Sequence, residues 1–158
     1  LEQKDGKKYR AEKVSHRFAE GVSSLSLNLE KAYTEGAHVE KWQRNIALDR
    51  EYNWVEITEQ YKLDSLQIEK DRLNGQVFDN QIILMSYGKP VVQKTGRILL
   101  QGGLVRLEYD AQYLSASVEK VQMTDGIMKT QWKDNIYRII LRLNDNYPMA
   151  KVKYRFVK

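Results

Sequence analysis

Between Trp42 and Leu63 the chain alternates apolar and polar residues with a period of two, on both sides of a break at Glu51 and Tyr52. Trp42, Arg44, Ile46, Leu48 and Arg50 fall on one side of the first segment; Val55, Ile57, Glu59, Tyr61 and Leu63 fall on one side of the second. Side chains two apart share one face of a strand, so both segments read as half-buried strands of a hairpin. With Arg50 opposite Asn53, Leu48 meets Val55, Ile46 meets Ile57 and Arg44 meets Glu59. The acid that interrupts the second apolar face then lies beside an arginine. A slip of one residue would turn every apolar side chain to the wrong face, and a buried charge without a partner is costly. The pattern therefore predicts an antiparallel hairpin carrying an Arg44–Glu59 ion pair at the edge of the core.

The rest of the chain repeats this grammar. Strands are expected at Lys13 to Phe18, Ser23 to Leu29, Gln81 to Tyr87, Arg97 to Leu100, Leu104 to Tyr109, Val118 to Met123, Ile136 to Leu143 and Val152 to Val157. The segment Glu30 to Val39 reads as a loop, and Asn74-Gly75 in the weakly periodic stretch Leu66 to Asn80 reads as a turn. Gly102-Gly103 marks a second hairpin, in which Leu100 faces Val105, Ile98 faces Leu107 and Arg97 faces Glu108. No segment carries an apolar helical stripe over three turns; Val118 to Ile127 is read as a strand stopped by Asp125-Gly126. Ten Tyr and three Trp beside two Pro suit such a chain. Strands at roughly ten-residue spacing predict an all-β, antiparallel β-sandwich of about ten strands with little or no helix. A single domain is expected over residues 1–158.

Several chemistries are disfavoured. With no cysteine, neither a disulfide framework nor a thiolate metal site can form. His16 and His38 are the only histidines, and their separation does not suit a zinc site, so no metal site is expected within the chain. His16 is expected as a hydrogen-bonded core or cleft residue and His38 in a loop. A net charge of +5, from 26 basic and 21 acidic residues, is spread along strands as on a solvated sheet face, with no basic block. No nucleic-acid partner is expected. No apolar run approaches the roughly 20 residues needed to span a bilayer. Seryl nucleophile and phosphate-loop motifs are absent. Trp42, Trp54 and Trp132 could stack on sugar rings if exposed, although aromatic side chains in sandwiches belong mostly to the core. The chain begins at Leu1 on a polar stretch, and is expected to be a segment of a longer protein.

A succession of short elements resembles one family. These are Leu25-Ser-Leu-Asn-Leu-Glu-Lys-Ala-Tyr33, Trp42-Gln-Arg44, Leu48-Asp-Arg50, Val55-Glu-Ile-Thr-Glu59-Gln-Tyr61, Gly96-Arg-Ile-Leu-Leu100, Leu107-Glu-Tyr-Asp110 and Trp132-Lys-Asp-Asn-Ile-Tyr-Arg138-Ile139. Their order and spacing, from about Tyr9 to Leu143, resemble the later strands of the C-terminal β-sandwich of the heparinase II/III family. Where the family usually has Asp, this chain has Glu59. The resemblance implies a secreted or periplasmic bacterial polysaccharide lyase that cleaves uronic-acid polymers such as heparan sulfate or alginate by β-elimination. It implies an N-terminal α/α toroid in the same protein, with the substrate cleft between toroid and sandwich. The family's catalytic groups and its zinc ligands precede the matched region, and this chain has no His-Asn pair of the family's kind. No catalytic or metal residue is therefore carried over, and zinc would belong to residues upstream. The expected role is structural support of the cleft, with Trp42 and Arg44 approaching substrate. Self-association of the segment is one expected way to cover strand edges.

Two other classes remain open. A carbohydrate-binding module would show an exposed aromatic row on one sheet face. A structural cell-surface domain would show no glycan affinity.

Overall fold

The computed structural model describes residues 8–75, 79–145 and 147–158. Residues 1–7, including Leu1, and 76–78, within the stretch Leu66 to Asn80, lie outside the described residues. The fold is an all-β, antiparallel sandwich with eleven strands among the described residues. They are β1 (Glu12–Phe18), β2 (Val22–Asn28), β3 (Val39–Asp49), β4 (Trp54–Leu63), β5 (Gln81–Ser86), β6 (Val91–Gln93), β7 (Arg97–Leu100), β8 (Val105–Tyr109), β9 (Leu114–Gln122), β10 (Asn135–Leu143) and β11 (Met149–Val157).

The chain divides into two compact units, residues 1–78 with 146–154 and residues 79–145 with 155–158. In the first unit the hydrogen-bonded order is β1-β2-β3-β4-β11. The β3–β4 hairpin holds the register that alternation requires: Leu48 opposite Val55, Ile46 opposite Ile57 and Arg44 opposite Glu59. Its turn is fastened by Asp49, whose Oδ1 accepts the backbone N–H groups of Glu51 and Tyr52, each at 2.9 Å. Leu25 continues the Ile46–Ile57 row onto β2, and His16 continues it onto β1.

The second unit has two layers, β5-β10-β9 and β8-β7-β6. Ile98, Leu107, Leu114, Ile139 and Leu141 are sealed from solvent in its core. The β7–β8 register sets Leu100 against Val105, Ile98 against Leu107 and Arg97 against Glu108. The Gly102-Gly103 loop is wider than a two-residue turn: Gln101–Gly103 form a 3-10 turn, and Gln101, Gly102 and Gly103 all have positive φ.

Helix is a minor part of the fold, confined to two short α-helices and three single 3-10 turns among the described residues. Ser65–Leu73 form α1 and Gly126–Trp132 form α2. Asp64 caps α1, its Oδ1 accepting the N–H groups of Leu66 (3.0 Å) and Gln67 (3.1 Å). Asn74-Gly75, read as a turn, is the turn that closes this helix, and Asp125, read as part of a strand stop, caps α2. Neither helix has an apolar stripe to announce it. Leu66 and Leu73 are 77% and 80% exposed, and α1 docks instead through Asp71, which lies 3.1 Å from His38 Nε2. Replacing Asp64 with Ala should destabilise the first unit by about 1 kcal/mol, because two helix N–H groups lose their acceptor. Far-ultraviolet circular dichroism through a urea titration would read this; an unmoved midpoint would mean that water replaces the cap at no cost.

In the second unit Asp79 accepts Arg142 Nε at 2.8 Å and 3.0 Å. The Arg142 hydrogen bond, outweighing the opposing effect of burial, holds the Asp79 carboxyl below the usual carboxylate range, with help from Gln81. A carboxylate whose pKa falls on folding stabilises above its unfolded pKa and loses that contribution as pH drops through the folded value. Wild type should therefore exceed Asp79→Asn in stability at neutral pH, and the gap should close on acidification below about pH 4. Urea midpoints measured down the pH range test this; a gap independent of pH would assign the effect to packing.

Candidate functional site

The densest polar constellation surrounds Glu59, in the middle of β4. This carboxylate is 2% exposed, and both its oxygens are engaged. Oε1 accepts Arg44 Nε at 2.7 Å and the Tyr154 hydroxyl at 3.3 Å; Oε2 accepts Trp42 Nε1 at 2.8 Å. Register builds the cluster: Arg44 lies directly opposite Glu59, and Trp42 lies two residues along β3 on the same face. Tyr154 comes from β11, the strand next to β4. Burial, reinforced by the Glu59 charge, pushes the Tyr154 phenol well above its ordinary value, so it is a fixed hydrogen-bond donor rather than an acid in use.

The cluster has an outer layer. Tyr33 stacks on Trp42 with ring centroids 5.0 Å apart and planes within 10°. The Arg44 guanidinium carbon is 5.9 Å from the centroid of Trp42. Glu30 ties the end of β2 to β3: its Oε2 accepts Trp42 N–H at 3.3 Å and its Oε1 accepts Asn28 Nδ2 at 3.0 Å. Burial pushes the Glu30 carboxyl up, but its own backbone N–H, Asn28, Trp42 N–H and the Lys13 charge together bring it below the ordinary value.

This arrangement limits the chemistry. Glu59 is enclosed and saturated with donors, so it cannot meet a substrate proton as a general base in this geometry. What it does is hold Arg44. Its Nε bonds to Glu59 and its side chain is 32% exposed, so a positioned cation is partly open to solvent beside the Trp42 ring. Such a cation suits a carboxylate or sulfate, which guanidinium groups bind in a bidentate manner.

The structure thus brings Trp42, Arg44 and Glu59 together. It also restricts Trp42, which is held by Tyr33 on its face and by Glu59 at its indole nitrogen and is not a free stacking platform. Tyr33, Glu30 and Tyr154 were not identified as members of the cluster from the sequence. Tyr154 is 95 residues from Glu59, and only the strand order brings them together.

The histidines lie apart from this site. His16, expected in a core or cleft, sits exposed on β1, its ring 5.0 Å from that of Phe18. It borders a shallow groove of about 270 Å³ among Ser15, Arg17, Ser24, Asn45 and Thr58. Among the described residues β1 is the last strand of its sheet, which leaves its side chains open to solvent. His38 lies in the irregular segment before β3 with a φ of 53°, close to Asp71. Among the described residues no three His, Asp or Glu side chains converge as a metal site. No helix among them is long and apolar enough to cross a membrane. No known family model matches the chain, and no curated protein matches its sequence.

Proposed function

We propose that this chain is the non-catalytic C-terminal β-sandwich portion of a heparinase II/III-like polysaccharide lyase that acts on uronic-acid glycans in the periplasm or outside the cell. Its part in that protein is to support the substrate cleft against an α/α toroid domain. The observation that carries the reading is the part-exposed Arg44 guanidinium, held by buried Glu59 and lying beside Trp42, on which Tyr33 stacks. A uronate carries a carboxylate on a sugar ring, and a positioned guanidinium beside aromatic rings matches both features. The proton-abstracting groups and any zinc would be supplied by the preceding part of the lyase.

A free-standing carbohydrate-binding module fits less well. Among the described residues the most exposed aromatic side chains, Phe18, Tyr52, Tyr87, Tyr113, Trp132 and Tyr147, are divided between the two units, and only Phe18 lies on a strand. A structural cell-surface domain would leave the Arg44 guanidinium without a ligand.

The test is ultraviolet absorbance of the unsaturated uronate product, with this chain and the longer protein incubated separately with heparan sulfate, hyaluronan and alginate. Product from the longer protein alone is the expected result. Product from this chain alone would place the chemistry within these residues. Absence of product from both, with glycan binding retained by this chain, would favour the module.

A further inference from the structure

Among the described residues four strands end a sheet, and three of them carry the devices that keep strand edges from pairing with other chains. The first, β1, bears Glu12, Lys13 and Arg17, and its register is broken between Glu12 and Ser15, where Lys13 has a φ of 48°. The second, β6, is three residues long, with Pro90 before it and Lys94 after it. The third, β9, carries Glu119 and Lys120. The fourth, β5, has none of these. Gln81-Ile-Ile-Leu-Met-Ser86 contains no charge and no proline, and it pairs with β10 in unbroken register from Gln81 to Ser86. Ile83 and Met85 are 52% and 54% exposed. Beside this strand an apolar cleft of about 570 Å³ opens between the two layers of the unit, lined by Leu84, Tyr87, Leu100, Val105 and Ile139 among others.

We propose that β5 is a dimerisation edge whose partner is the β5 strand of a second copy of this chain. An unprotected regular edge with an adjacent apolar cleft is the geometry of strand addition. A second copy fits because the strand is complementary to itself. Antiparallel pairing about Leu84 sets Ile83 against Met85, Ile82 against Ser86 and Gln81 against Tyr87, with like faces together and no like charges opposed. The corresponding self-pairing of β1 about Ser15 would set Lys13 against Arg17. The pairing joins two three-stranded sheets into one of six and brings Ile82 and Leu84 of the second copy to the mouth of the cleft. It does not depend on the glycan reading.

The test is sedimentation velocity from about 1 µM to about 500 µM, because an edge contact of this size gives a weak dimer. Amide hydrogen exchange is measured at both ends of the range. The expected result is a reversible dimer in which the β5 amides exchange several-fold more slowly at high concentration. Ile83→Lys and Met85→Lys, each at a half-exposed position, should each raise the dissociation constant at least about tenfold by opposing charge to an apolar strand. Leu48→Lys, in the other unit, should leave it unchanged. A monomer throughout the range overturns the proposal. So does a dimer that tolerates both lysines, or one whose β5 amides exchange at the same rate at both concentrations.

Discussion

Replacing Glu59 with alanine should lower the stability of the first unit by about 3–5 kcal/mol, the range for removing one partner of a buried ion pair. Three donors lose their acceptor together: Arg44 Nε, Trp42 Nε1 and the Tyr154 hydroxyl. Each buried donor left unsatisfied costs about 1–3 kcal/mol, and the stranded guanidinium adds an uncompensated charge. Small domains have about 5–15 kcal/mol in total, so the variant should populate unfolded forms at modest urea. Trp42 reports the change directly through its fluorescence. Two companion variants separate the contributions. Tyr154→Phe removes only the 3.3 Å bond and should cost about 1 kcal/mol. Replacing the pair together, Arg44→Met with Glu59→Leu, should recover the part of the loss that comes from the stranded guanidinium, but not the part that comes from Trp42 Nε1 and the Tyr154 hydroxyl, which still lack their acceptor. An unmoved urea midpoint for Glu59→Ala would mean that water reaches the three donors as the side chain leaves.

The same cluster shows where sequence reasoning succeeds and where it stops. Arg44 and Glu59 were legible as partners because a hairpin is local: the turn sets the register, and period-two alternation admits only one register that buries the apolar set. Ile98 against Leu107 was legible for the same reason. Tyr154 was not, because the neighbour of β4 is β11 rather than the next strand in the chain, and no local pattern encodes that choice. The helices were missed on different grounds. Sequence periodicity finds a helix through its buried stripe. In α1 the buried residue is Asp71, held by His38 and by Gln67 Nε2 at 3.0 Å, so the helix is fastened by polar contacts that periodicity does not record. The capping signals, Asp64 and Asp125, were present but lie beside residues that also read as loop. Strand β6 escaped because three residues are too few to show an alternation.

A functional consequence follows from the enclosure of Glu59. A carboxylate saturated by three donors is a fixed anion, and its effect reaches solvent only through the orientation of Arg44. Removing Glu59 would therefore alter the site by releasing the arginine as well as by weakening the fold. If the proposed glycan contact is measured, a loss in a Glu59 variant must be read beside Arg44→Gln, which removes the charge but leaves a shorter polar side chain opposite Glu59.

The second large effect is expected at Gly96, between β6 and β7, where alanine should cost about 2–4 kcal/mol. Gly96 has a φ of 68°, and a Cβ built on it would lie 2.5 Å from the backbone oxygen of Tyr109 and 3.3 Å from the Ala111 Cβ. The positive φ alone costs an L-residue about 1–2 kcal/mol. The rest comes from the collision, since the obstructing atom is backbone and overpacking of this kind costs about 1–3 kcal/mol. Gly96 cannot simply withdraw, because its carbonyl accepts Tyr109 N–H at 2.9 Å, and breaking that contact would loosen the start of the loop into β9. Gly75, at the end of α1, is the control: its φ is 79° but nothing lies within 4 Å of the built Cβ, so Gly75→Ala should show the conformational cost by itself, about 1–2 kcal/mol. The difference between the two urea midpoints, each converted to free energy, isolates the close approach to Tyr109. Equal losses would mean that β8 yields to the added methyl. A larger loss at Gly96, with faster exchange of the Tyr109 amide, would show that this glycine is required by the strand beside it as well as by its own turn.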